Sequence, residues 1–239
     1  LSQLVRRSSK NEGGWERGGI FSVSGVRVIA ILFFCFFGIY LFGCARTVTP
    51  IVDYGEQMTV TVTLRGTMEV VSHHYYLVFS SSSGLTIPLP SPDNPYYYEM
   101  IEPGTTPING AIADYYTNYY STWSSYIIAD TTGYAAVMGP FVLGQAITRD
   151  AFANLGDLTT TIRFVVPLNK IFTTTPDYVY FDFVSVNWPD GSPKISADHL
   201  TTTNAYISKI SGSIVEIADS EDPTIAAAAD ILNCKVEMQ

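Results

Sequence analysis

The sequence predicts an all-β fold: a β-sandwich with Greek-key or jelly-roll connections, a short C-terminal helix and an N-terminal apolar signal or anchor helix. Three observations carry this. Several short segments alternate apolar and polar residues with a period of two, as half-buried strands do. Gly, Pro, Asn and Asp clusters punctuate them as turns. β-Branched and aromatic residues are abundant, while only 15% of residues are charged, against ~25% in an average soluble domain. With 239 residues, 47% of them hydrophobic, the chain has the material for a sizeable core.

Residues 1–25 are polar and Gly-rich, with no Met before Met58, and read as a disordered or wrongly assigned N-terminal extension. Residues 26–43 read as a signal peptide or membrane anchor, because the cation Arg27 precedes an apolar run from Val28 to Gly43. As a helix that run spans roughly 24 Å, short against a hydrocarbon core of about 30 Å. Residues 44–56, with Pro50, form a tether, and residues 57–239 form the sandwich.

In the sandwich, "MTVTVTLRG" (58–66) alternates Val60, Val62 and Leu64 with Thr. "MEVVSHHYYLVFS" (68–80) follows as a second strand across a tight hairpin at Arg65, Gly66 and Thr67. Six prolines between residues 86 and 107 make a long ordered loop, since proline is excluded from central strands. "DYYTNYYSTW" has rings at i and i+4 and suits a helical turn. "SSYIIAD" and "YAAVMGPFVLG" are strands around a Thr131-Thr132-Gly133 turn, and "AITRDAFANLGD" (146–157) is a short helix. "TTTIRFVVPL" and "DYVYFDFVSVNW" place Ile162, Phe164 and Val166, then Val179, Phe181 and Phe183, on single faces. "NAYISKI" and "GSIVEI" are later strands. Asp222 at an N-cap and Pro223 at the first helical position open the C-terminal helix, which runs to Asn233.

The tetrapeptide Leu41-Phe42-Gly43-Cys44 resembles the lipobox of bacterial lipoproteins. The resemblance implies diacylation of the Cys44 thiol, cleavage before it, and a stable lipid anchor of two or three acyl chains. Ala45 after the cysteine implies sorting to the outer membrane in a diderm cell. The order of a "YYLVF" strand, aromatic-rich loops and a "YVYFDF" strand resembles carbohydrate-binding and DOMON-like sandwiches of secreted bacterial proteins.

Charge divides at the same seam. Five cations against Glu12 and Glu16 precede Cys44, and the acidic excess behind the net −9 lies after it. An acidic body argues against nucleic acid as a partner. Catalytic signatures are absent: no Gly-x-Ser-x-Gly elbow, His-Glu-x-x-His, P-loop or dinucleotide fingerprint. His73 and His74 are neighbours in a strand and face opposite sides. His199 beside Asp198 reads as a surface pair, "WPDGSP" and "DSEDP" as a turn and a cap, and Cys234 as a buried lone thiol. No cofactor or metal is expected.

The candidate binding residues are Tyr96, Tyr97, Tyr98, Tyr115, Tyr116, Tyr119, Tyr120, Trp123 and Tyr126, interleaved with Pro, Asn, Asp and Thr. Tyrosine offers a flat apolar face and a hydroxyl at low entropic cost, suited to sugar rings or protein partners; packing of these rings onto the core is the competing expectation. The functional expectation is a non-catalytic, membrane-tethered extracytoplasmic lipoprotein that binds a protein or cell-envelope carbohydrate. Two alternatives stand beside it: a structural subunit of a surface assembly held by strand contacts, and a secreted hydrolase.

Overall fold

Met58, Val60, Val62 and Leu64 are buried while Thr61 and Thr63 are half-exposed, so the period-two pattern becomes strand β1, Gln57–Leu64. The structure, a computed structural model, describes residues 54–90 and 98–239. Residues 1–25, the apolar run 26–43, Cys44, the tether up to residue 53, and Tyr96 and Tyr97 lie outside the described residues. No helix among those described is long and apolar enough to cross a membrane.

After β1 come β2 (His73–Ser80), helix α1 (Ile112–Asn118), β3 (Ser125–Asp130), β4 (Gly133–Met138), β5 (Arg149–Ala153) and β6 (Thr161–Pro167). Then follow β7 (Tyr178–Asn187), β8 (Ser196–His199), β9 (Ala205–Ser208), β10 (Ile214–Ala218) and β11 (Ile231–Met238). They form two antiparallel sheets, as an all-β sandwich requires. The smaller has the order β10-β11-β1-β6 and the larger β5-β4-β3-β2-β7-β8. β9 shares the outer edge of β7 with β8: β8 pairs with residues 184–186 and β9 with residues 178–181.

The main core lies between the sheets. Ile162, Phe164 and Val166 of β6 and Cys234, Val236 and Met238 of β11 meet Leu77, Phe79, Phe181 and Phe183 of the larger sheet. A second core covers the other face of the larger sheet. There Tyr76, Val78, Tyr126, Ile128, Val184 and Val186 are roofed by Leu85, Ile87, Met100, Ile101, Tyr115, Tyr120 and Trp123 from the long loop and α1. With both its faces covered, every residue of β2 is buried, and its middle, Tyr75 to Phe79, therefore reads as an apolar and aromatic run without alternation.

Three expected elements are corrected. The hairpin at Arg65 to Thr67 does not form. β1 pairs with β11 and β6, β2 pairs with β3 and β7, and the two lie in different sheets. Gly66 instead donates its N–H to Ala227 O at 2.7 Å, an approach so close that a Cβ there would stand 2.7 Å from Ala227 Cβ. Residues 146–157 contain strand β5 rather than a helix, because the edge of β4 takes up residues 149–153.

The C-terminal helix is also absent. Asp222 Oδ1 does accept from Thr224 N at 2.8 Å, but the cap closes only a turn. The backbone groups that a helix would use go to tertiary partners. Ile225 O accepts from Arg65, Ala228 O from Tyr75 Oη at 2.8 Å, and Ala229 O from Ser185 Oγ. Ile231 N–H donates to Asp198 Oδ2 at 2.7 Å. β11 then fills the slot between β10 and β1.

Candidate functional site

α1 has seven residues, too few to hold a helix by propensity. Ring packing holds it. Tyr116 meets Tyr120 edge-on at 5.0 Å, Tyr120 meets Trp123 at 4.9 Å, and Tyr115 lies 5.9 Å from Tyr119. The hydroxyls and the indole are tied inward: Tyr120 Oη donates to Ile101 O at 2.8 Å, and Trp123 Nε1 to Thr86 O at 2.7 Å. Tyr115 Oη accepts from Glu99 N at 2.8 Å. Burial pushes the Tyr119 hydroxyl up to about 12.

Of the sequence-predicted binding residues, Tyr115, Tyr120, Trp123 and Tyr126 are therefore core side chains, and a partner has no face of them to touch. Tyr98, Tyr116 and Tyr119 are half-buried at the margin of the same cluster, with Tyr98 set edge-on to Tyr119 at 5.8 Å. The burial of the four core rings has a simple cause. The outer face of the larger sheet is apolar, and these rings are what cover it.

Beneath the cover lies a charged network. Arg149 Nη1 donates to Asp130 Oδ2 at 2.7 Å, and the guanidinium also pairs with Glu102, which accepts Tyr126 Oη at 2.7 Å. Burial alone would raise the Asp130 carboxyl, but hydrogen bonds from Thr132 and Arg149 outweigh it and lower its pKa. The Tyr76 hydroxyl is fully buried beside this network, and desolvation raises its pKa. His74 stacks on Trp188 at 3.8 Å, and desolvation lowers its pKa to about 4. Among the described residues no group of three or more His, Cys, Asp or Glu side chains is placed to hold a metal ion.

Exposed apolar side chains occur in turns such as that of Val71 and also at the sides of the sandwich. Among the described strands β6 and β10 each have one paired edge, to β1 and β11. Val165 on β6 is 42% exposed and Ile214 on β10 is 54% exposed. A groove of about 590 Å³ runs between β9 and β10, lined by Tyr206, Ile207, Ile214, Val215 and Ile217 among others. On the opposite side, a cleft of about 380 Å³ lies between β5 and β6, with Tyr134, Phe152 and Phe164 in its wall and Arg163 and Asp157 at its rim.

Near the first groove, Tyr178, Tyr180 and Tyr206 form a surface trio. Their centroids are 5.7 and 5.6 Å apart, and the rings are inclined at 82° and 44°. Inclined rings offer edges and hydroxyls rather than one flat platform for a sugar. Alternation along β7 turns Tyr178 and Tyr180 away from the face that buries Val179 and Phe181. Tyr206 joins them only through the β7–β9 register, Tyr180 opposite Tyr206, which no local pattern reveals.

No protein-family model, no curated protein and no solved structure matches this chain.

Proposed function

We propose that this protein is a non-catalytic assembly module of the bacterial cell envelope, tethered to a membrane through Cys44, which holds a protein partner by the edges of its sheets. One observation supports it above the others. Four of the predicted aromatic contact residues, Tyr115, Tyr120, Trp123 and Tyr126, are buried, while unpaired strand edges carry the exposed apolar residues Val165 and Ile214 beside grooves. A free edge presents a row of backbone donors and acceptors that a second chain can continue. The lipid confines the domain to one surface and raises its effective concentration towards a partner on the same surface.

Two measurements test this. Intact mass of the membrane fraction is expected to begin at residue 44 and to carry acyl chains; a full-length unmodified mass removes the lipid tether. A photo-crosslinking side chain at position 165 or 214 is expected to capture a partner in cells. The same group at Val71, exposed to 73% in the turn before β2, is expected to capture none. Equal capture at all three positions defeats edge binding.

A further inference from the structure

We propose that β6 takes an extended segment of a partner protein as an added antiparallel strand, with an acidic residue opposite Arg163 and an aliphatic residue opposite Val165. This rests on the edge-binding reading above and narrows it to one strand and one register.

The ladder decides which groups are on offer. Leu64 N–H bonds Thr160 O at 2.8 Å, and Leu168 N–H bonds Glu56 O at 2.9 Å. In an antiparallel pair the bonded residues alternate, so the even-numbered residues of β6 bond β1 in the register Val62–Ile162 and Val60–Phe164. The odd-numbered ones aim N–H and C=O at the free edge. Thr161 is already closed locally, its N–H and C=O both bonded to Thr159 Oγ1. Pro167 has no N–H to give and ends the strand. The open window is thus Arg163 and Val165, four backbone groups in all.

Side-chain chemistry specifies what fits the window. The described residues hold seven Lys and Arg side chains. Arg65, Arg149, Lys170 and Lys235 are in ion pairs, and Lys194 and Lys209 lie over the rings of Trp188 and Tyr54. Arg163 alone among them has neither partner, in a chain of net charge −9. Opposite charges directly across a ladder stabilise it and like charges oppose it. A second β6 laid centrally against the first would set Val165, not an acid, opposite Arg163 and bring the two Arg163 cations to diagonal positions, so the added strand is not another β6. Width argues for a single strand. The larger sheet is six strands across and the smaller four, which leaves about 10 Å, two strand widths, beyond the edges of the smaller sheet.

The chain contains a segment of the required pattern, which supplies the probe. In residues 211–220, Glu216 placed opposite Arg163 brings Ile214 opposite Val165 and Val215 beside Phe164. A labelled ten-residue peptide of this sequence is titrated by fluorescence anisotropy against the full chain in detergent micelles. Saturable binding is expected, with the amides of Arg163 and Val165 becoming protected from hydrogen exchange. Arg163→Glu is expected to weaken binding about five- to tenfold, with its melting temperature unchanged. A peptide with Lys in place of Glu is expected to restore binding to Arg163→Glu. Absence of binding, or equal binding of both peptides to Arg163→Glu, overturns the proposal. So does a concentration-dependent oligomer of the chain alone that Arg163→Glu dissolves, because the occupant would then be a second copy. Edge cross-links that persist without peptide binding sink the β6 register and spare the broader reading; loss of both sinks both.

Discussion

Tyr126 on β3 donates its hydroxyl to Glu102 in the covering loop at 2.7 Å, and Glu102 is shared with Arg149 on β5. One carboxylate therefore ties the cover to two strands of the sheet below it. Tyr126→Phe removes one donor and leaves Glu102 paired, so a loss of about 1–2 kcal/mol is expected in denaturant unfolding. Arg149→Met leaves the carboxylates of Glu102 and Asp130, with side chains 12% and 6% exposed, without a counter-charge. That change is expected to cost about 3 kcal/mol. A smaller loss for Arg149→Met than for Tyr126→Phe counts against the network.

The ring cluster has a different signature. Replacing Tyr119, Tyr120 and Trp123 together by Ala removes three side chains that roof the larger sheet. Deleting one buried large aromatic costs about 3–5 kcal/mol, and whole domains are stable by about 5–15 kcal/mol. The triple variant is therefore expected to lose its cooperative thermal transition by circular dichroism. A variant that melts as the wild type does would return these rings to the surface.

Stability should respond to pH through two groups of opposite sense. Desolvation holds His74 at about 4 when folded, against 6.5 unfolded. Its contribution is complete above 6.5 and falls away between 6.5 and 4, by on the order of 3 kcal/mol. Burial pushes Asp182 up to about 8 against a backbone hydrogen bond from Leu200. A raised carboxyl stabilises at low pH, and that contribution fades as pH climbs from about 4 to 8. The two oppose one another between 4 and 6.5. Denaturation midpoints should accordingly fall more steeply with acid in Asp182→Asn than in the wild type, and rise with acid in His74→Gln. Parallel pH profiles for all three proteins would contradict both assignments.

What the sequence made legible follows from where each contact lies along the chain. β1, β6 and β7 each bury one continuous apolar face, so alternation alone places Val62, Phe164 and Phe181 in the core. Partner strands are another matter. Nothing near Gly66 says that β1 pairs with residues 231–238, and proximity in sequence suggests a hairpin instead. The alanine-rich stretch 226–229 favours a helix locally, yet Tyr75 and Ser185, over forty residues away, take its carbonyls. The tyrosines between 98 and 126 are visible as a cluster, but their direction depends on an apolar sheet face built by other segments. The surface trio depends on register in the same way.

Arg65 and Asp230 are 165 residues apart and joined by a direct ion pair at the head of the β1–β11 ladder. β11 lies inside the smaller sheet, between β1 and β10. A nascent polypeptide that has emerged as far as β10 therefore has no way to close this layer, and β1 waits with one flank bare. Closure of so distant a contact is slow. Under the proposed envelope address, late closure would keep the early strands from locking before export is done.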